Sequence, residues 1–337
     1  MMARQSDASR DTANSRPDPA TLLEVADLSV EFLTQNGIVP AVAGLSFTLG
    51  IGETLAIVGE SGSGKSVSML SLLELLPVTG RRSAGSVIWQ DSKLRNADLR
   101  HLRGSRVSMI FQEPVSSLSP LVTVGKQLRE VLQKHTGRNR SQADRRALEL
   151  LEMVDIPSPA IRMAQYPHQL SGGIAQRVMI AIALASDPEL IIADEPTTAL
   201  DVTTQAQILT LLDRLKRETG CSIIIISHDL AVVSGLADRI VVMYAGRAVE
   251  EGPAHELLKS PQHPYTAGLI AATPHPFEPT KALKPIRGSQ PRSPNAILGC
   301  SFKPRCDYAS ERCDESPELT SRDAAQEHRK VACWHAL

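Results

Sequence analysis

An α/β fold with a mostly parallel sheet is predicted by three observations. Short runs are apolar throughout, helical spacing separates them, and a glycine-rich loop lies between one such run and the next helix. The runs are Leu55 to Val58, Leu190 to Ala193 and Ile223 to Ile226. A strand that is apolar throughout, instead of alternating, is one covered on both faces. At 337 residues the chain has room for about two domains. Its 42% hydrophobic content can bury a core without disulfides and argues against wholesale disorder. Lys and Arg total 36 against 37 Asp and Glu, so the basic footprint of a nucleic-acid binder is missing and no nucleic-acid partner is expected. No apolar run approaches the roughly 18 residues of a membrane-spanning helix, so any membrane role is peripheral.

Residues 1–20 are rich in Arg, Asp and Ser and have no apolar stretch; they read as a disordered tail, not a secretory signal, and place the protein in the cytosol. Thr21 to Phe32 alternates at strand period, and Gly50 to Gly52 marks a turn before the strand Leu55 to Val58. After the glycine-rich loop, Leu70 to Leu76 has helical character; Val87 to Trp89 and Val107 to Phe111 look like strands. From Val124 to about Val154 the spacing is helical, with Ser141 as N-cap ahead of Asp144, and the stretch reads as a helical insertion. Strand and helix alternation returns with Leu190 to Ala193, a helix over Val202 to Glu218, Ser222 to Ile226, and a strand at Ile240 to Met243. Beyond Gly252 prolines are too frequent for long regular elements, so a distinct C-terminal segment starts at about residue 255.

Gly59-Glu60-Ser61-Gly62-Ser63-Gly64-Lys65-Ser66 fits G-x-x-x-x-G-K-[ST] between a predicted strand and a predicted helix. The glycines turn backbone N–H groups toward phosphate oxygens, Lys65 reaches the outer phosphates, and Ser66 gives Mg²⁺ a hydroxyl. Asp194 and Glu195 end the apolar run from Leu190, at the sheet edge where open α/β proteins bind ligands. There Asp194 can hold Mg²⁺ and Glu195 can activate the attacking water. His228 closes the neighbouring run near the expected γ-phosphate, and Gln112 follows the run ending in Phe111; taken singly, both are ambiguous.

Leu170-Ser171-Gly172-Gly173-Ile174-Ala175-Gln176-Arg177, between the phosphate loop and Asp194-Glu195, resembles the signature of ATP-binding cassette (ABC) ATPases. Ile174 departs from the Gln that many cassettes carry, while the Ser and two Gly positions are intact. The resemblance extends to Gln112 as the Q-loop, a second Mg²⁺ ligand and part of the catalytic set; to Thr198-Ala199-Leu200-Asp201 as the D-loop, with Asp201 at the nucleotide; and to His228 as the switch histidine. It implies a P-loop NTPase core over 21–254, with an antiparallel β subdomain and a helical subdomain at about 113–186. Phe32 is then the candidate for stacking on adenine, and Ser171, Gly172 and Gly173 are expected to meet a γ-phosphate held by a partner's loop.

Within that family, Phe111 to Pro114, Ser117 to Pro120, His263-Pro264-Tyr265-Thr266 and the terminal cysteines look like the D-type subunit of oligopeptide and dipeptide importers. That resemblance implies a peripheral ATPase at the cytoplasmic face of the membrane. Its implied partners are a related second ATPase in a heterodimer, two permeases, one seating a helix against Gln112 to Leu121, and an extracytoplasmic substrate-binding protein. Nickel and glutathione importers share the architecture. The rival class, a soluble cassette ATPase acting on DNA or ribosomes, carries long coiled coils, zinc insertions or a second cassette, and none of these occurs in this sequence.

Cys300, Cys306, Cys313 and Cys333 follow C-x5-C-x6-C-x19-C in a segment with few apolar residues, where a metal could supply folding free energy. Four thiolates suit Zn²⁺ or an iron–sulfur cluster, and His328 or His335 could complete a Cys₃His zinc site. The resemblance to D-type importer ATPases favours [4Fe-4S]. Cys221, alone before a buried strand, reads as core packing.

Overall fold

The computed structural model describes residues 20–273, 284–291, 297–323 and 327–337. The expected tail at residues 1–20 lies outside them apart from its last residue. Eleven strands are described: β1 (Thr21–Thr34), β2 (Gly37–Gly50), β3 (Thr54–Val58), β4 (Gly80–Trp89), β5 (Ser92–Leu94), β6 (Val107–Ile110), β7 (Leu190–Asp194), β8 (Ser222–Ser227), β9 (Arg239–Tyr244), β10 (Arg247–Pro253) and β11 (Lys330–Val331). A seven-stranded sheet runs β11-β10-β9-β3-β8-β7-β6, parallel from β9 to β6 and antiparallel at the β10 and β11 edge. A second, antiparallel sheet is ordered β2-β1-β4-β5.

The all-apolar runs are the central strands, as their composition predicts. Successive side chains of a strand point to opposite faces, and two cores divide them accordingly. Ala56, Val58, Ile191, Ala193, Ile223 and Ile225 pack with the helical layer. Leu55, Ile57, Leu190, Ile192, Ile224 and Ile226 pack against the antiparallel sheet. At about 25 cal/mol per Å² of apolar surface, this two-sided burial is the dominant stabilising term.

Three local expectations are corrected. The helix after the glycine loop spans Lys65–Leu72 instead of Leu70 to Leu76, because left-handed Gly64 caps it directly. The N-cap of helix Arg140–Met153 is Asn139, not Ser141: the Asn139 side chain accepts from the Gln142 N–H, and the Gln142 side chain returns the bond to the Asn139 N–H. β2 was missed, although Asn36-Gly37 between two strand-like runs is a hairpin signal, and Thr34 pairs with Gly37 across it.

The helical layer comprises Val124–Thr136, Arg140–Met153, Pro159–Met163 and Gly172–Leu184. The C-terminal segment contains short elements, among them helices Ala254–Lys259 and Pro264–Ala272. It returns through β11 to extend the main sheet, with Val331 opposite Glu250. Buried Glu250 accepts the N–H groups of Gln262 and His263 at 2.8 and 2.9 Å, and Arg329 lies 3.4 Å away, so a paired charge anchors the segment.

Candidate functional site

β3 delivers the phosphate loop, and the carboxyl edge of the parallel strands, where β6, β7 and β8 end, gathers the side chains around it. Gly59 has φ of +153°, and a Cβ on it would sit 2.1 Å from the Met243 carbonyl oxygen of β9. The loop can therefore pass that strand only without a side chain. Gly59→Ala is expected to destabilise the protein by about 3 kcal/mol, read as a lowered thermal unfolding midpoint; an unchanged midpoint would contradict the close approach.

Lys65 folds back on the loop, donating to the carbonyls of Gly59 and Glu60 at 2.7 and 2.9 Å, with Ser63 Oγ at 3.5 Å. Burial lowers its pKa, against the pull of Glu195, Asp194 and Glu60. Ser66 Oγ donates to Asp194 Oδ1 at 2.8 Å. Burial raises the Asp194 carboxyl, and the Ser66 hydrogen bond and Lys65 offset this only in part. A buried carboxylate beside a hydroxyl, still short of positive charge, is the donor chemistry that suits a hard divalent cation.

Glu195 sits just past β7 with φ of +46°, and its N–H donates to the Ile226 carbonyl of β8 at 3.0 Å. This sparsely populated backbone conformation, fixed by the neighbouring strand, aims the carboxylate along the sheet edge. Gln112 Nε2 and Thr198 Oγ1 donate to Glu195 Oε2 at 3.0 and 2.8 Å, and His228 Nδ1 lies 3.3 Å from Oε1. The Glu195 side chain is only 13% exposed, while the His228 side chain is 57% exposed. These groups and the loop line one cleft of about 610 Å³, which Glu60, Ser61, Gly62, Gly64 and Ser66 also border.

The fold thus brings the phosphate loop, Asp194, Glu195, Gln112 and His228 together. Other candidates lie apart from the cleft. Ser171 and Gly172 are exposed and Gly173 half-buried at the start of helix Gly172–Leu184. Asp201 caps the helix Val202–Thr219, accepting from the Thr204 N–H and hydroxyl at 3.0 and 2.8 Å, and these bonds hold its carboxyl low. Phe32 is half-buried near the end of β1, with its ring over Gly80.

The four C-terminal thiols are free and gathered: Cys300 N–H donates to the Cys313 carbonyl at 2.9 Å. Burial pushes Cys300, Cys306 and Cys333 up, and thiols of the same group push each further. Among the described residues no three His, Cys, Asp or Glu side chains are drawn in tightly enough to hold a metal ion. His335 Nε2 pairs with Ser310 Oγ at 2.7 Å and His328 Nε2 with Glu256 at 3.3 Å, which speaks against either completing a Cys₃His site. Cys221 is buried, as core packing requires.

The ABC transporter family pattern matches residues 42–198, and that of the oligopeptide/dipeptide transporter C-terminal region matches 249–313. The oligopeptide transport ATP-binding protein OppD of Haemophilus influenzae is 47% identical, across 93% of this chain and 97% of its own length. The chain belongs to the ABC transporter family. OppD of Salmonella typhimurium is likewise 47% identical, across 96% of this chain and 97% of its own. Among solved structures, the ATP-binding cassette MJ0796, a dimer bound to ADP and Pi, superposes with a TM-score of 0.61 at 31% identity, covering 69% of this chain and 99% of its own. The cassette is therefore an ATPase of the ABC type, working on ATP with Mg²⁺. No helix among the described residues is long and apolar enough to cross a membrane.

Sequence reasoning placed Thr198 only in the D-loop and missed its hydrogen bond to Glu195, for which its position three residues on was the available signal. It read Tyr265 only as part of the His263-Pro264-Tyr265-Thr266 motif and did not single out Arg305; both reach the phosphate loop from more than two hundred residues away, a contact that leaves no local trace.

Proposed function

We propose that this chain is the ATP-hydrolysing subunit that energises import of dipeptides or oligopeptides across the cytoplasmic membrane. The observation that carries the reading is near-full-length similarity to OppD proteins, with the C-terminal region matched as well as the cassette. Lys65 and the loop N–H groups grip the phosphates, and Ser66, Asp194 and Gln112 hold Mg²⁺. Bound there, Mg²⁺ neutralises charge on the phosphoryl oxygens. Glu195 takes the proton of the attacking water, kept in place by Gln112, Thr198 and His228. Phe32 stacks on adenine, and Asp201 acts across the subunit boundary.

The chain works at the cytoplasmic face, paired with a related ATPase under two permeases that an extracytoplasmic binding protein feeds. Exposure of the Ser171–Gly173 helix start away from the chain's own cleft supports a shared site. Leu121, 86% exposed, and Val115, 45% exposed, near Gln112 support a permease contact there.

The gathered thiols hold a [4Fe-4S] cluster. A cubane spaces its thiolates more widely than a single Zn²⁺ ion does, which suits thiols not drawn together tightly enough for one ion. Anaerobic co-purification with the permeases tests both claims: peptide-stimulated ATP hydrolysis and stoichiometric iron and sulfide are expected. Stimulation by nickel or glutathione in place of peptides would replace the cargo, and a colourless preparation with stoichiometric zinc would replace the cluster.

A further inference from the structure

Glu60, the second residue of the phosphate loop, is held from two sides by the C-terminal segment. Its carboxylate takes a two-pronged ion pair from Arg305, Nη1 to Oε2 at 2.8 Å and Nη2 to Oε1 at 2.9 Å. Its N–H donates to the Tyr265 hydroxyl at 2.8 Å. Its carbonyl accepts from Lys65.

Arg305 is set up for this contact. Its side chain is only 6% exposed, its guanidinium lies 5.7 Å from the Tyr244 ring centre and 6.0 Å from that of Phe302, and its Nε donates to the Arg287 carbonyl at 2.7 Å. The rings of Tyr244, Tyr265 and Phe302 pack on one another beneath it. A guanidinium held this way presents its fork at little further entropic cost, and a lysine could not match the two-pronged geometry. Glu60 borders the cleft that receives phosphates. Left unpaired, its carboxylate would repel the nucleotide, and the loop would lose one of its anchors.

We propose that Arg305 is a positioning residue through which the C-terminal segment sets the nucleotide affinity of the phosphate loop, by neutralising and orienting Glu60. The proposal rests on the reading of this loop as the ATP site. Arg305 does not line the cleft that Glu60 borders; it acts through Glu60.

The test is equilibrium binding of Mg-ATP to the full chain, with thermal unfolding followed in parallel. Arg305→Ala is expected to weaken binding by about tenfold, and Arg305→Lys, which keeps the charge but not the fork, by an intermediate factor. In a Glu60→Gln background, removing Arg305 is expected to cost less than about twofold. Equal losses in both backgrounds would overturn the proposal, because Arg305 would then be supporting the fold and not acting through Glu60. Wild-type affinity in Arg305→Ala would overturn it as well. Failure of the wild-type chain to bind ATP at all would overturn the nucleotide reading and the proposal with it.

Discussion

Glu195→Gln is expected to lower ATP turnover by about a thousandfold while leaving Mg-ATP affinity within about twofold. The substitution removes basicity and little else. A Gln oxygen can keep accepting from Gln112 and Thr198, and its NH₂ can turn to His228 Nδ1, which accepts a hydrogen bond in one tautomer of the ring. Lys65 and Ser66, proposed above to meet the ground-state phosphates, are untouched. A group that acts on the attacking water contributes to the chemical step and hardly to binding, so the loss falls on kcat. Phosphate release and equilibrium nucleotide binding on the same preparation check this, and turnover within about tenfold of wild type would remove Glu195 from the role of base.

Gly172→Asp is expected to cut turnover of the assembled complex by about a hundredfold and to leave thermal unfolding of the isolated chain unchanged or slightly raised. Room exists for the side chain: a Cβ at Gly172 would meet only Leu200 Cδ2, at an ordinary 3.6 Å. An acidic group in the first turn also suits the helix dipole. The fold therefore has no reason to object, and a loss of activity would report on something outside the chain. If the helix start faces the partner's γ-phosphate, a carboxylate there opposes like charge. Unchanged turnover in the complex would reject the shared site. This outcome contrasts with Gly59→Ala, where the clash is internal and stability itself should fall.

The central sheet and the loop Gly59 to Ser66 at its edge were legible because their signals are local. The run Ile223 to Ile226 is apolar throughout because both faces of β8 are covered, and that leaves its mark in consecutive residues. The loop Gly59 to Ser66 is readable because phosphate binding needs backbone shape and one lysine at fixed spacing. Asp194 and Glu195 were readable because two carboxylates ending an apolar run are costly unless a ligand uses them.

Boundaries followed rules that local spacing does not carry well. Asn139 took the cap expected of Ser141 because Gln142 could return its hydrogen bond. The helix after the loop began at Lys65 because Gly64 ends the loop in a left-handed turn. By itself, then, the sequence determined the fold class, the phosphate loop and the carboxylate pair, each encoded within a few neighbouring residues. Only the tertiary structure decided that Thr198 joins Gln112 and His228 around Glu195, that β11 extends the cassette's own sheet, and that Arg305 and Tyr265 hold Glu60. The physical reason is reach: an ion pair between residues 60 and 305 depends on how the chain returns through the aromatic cluster of Tyr244, Tyr265 and Phe302, and no periodicity records that path.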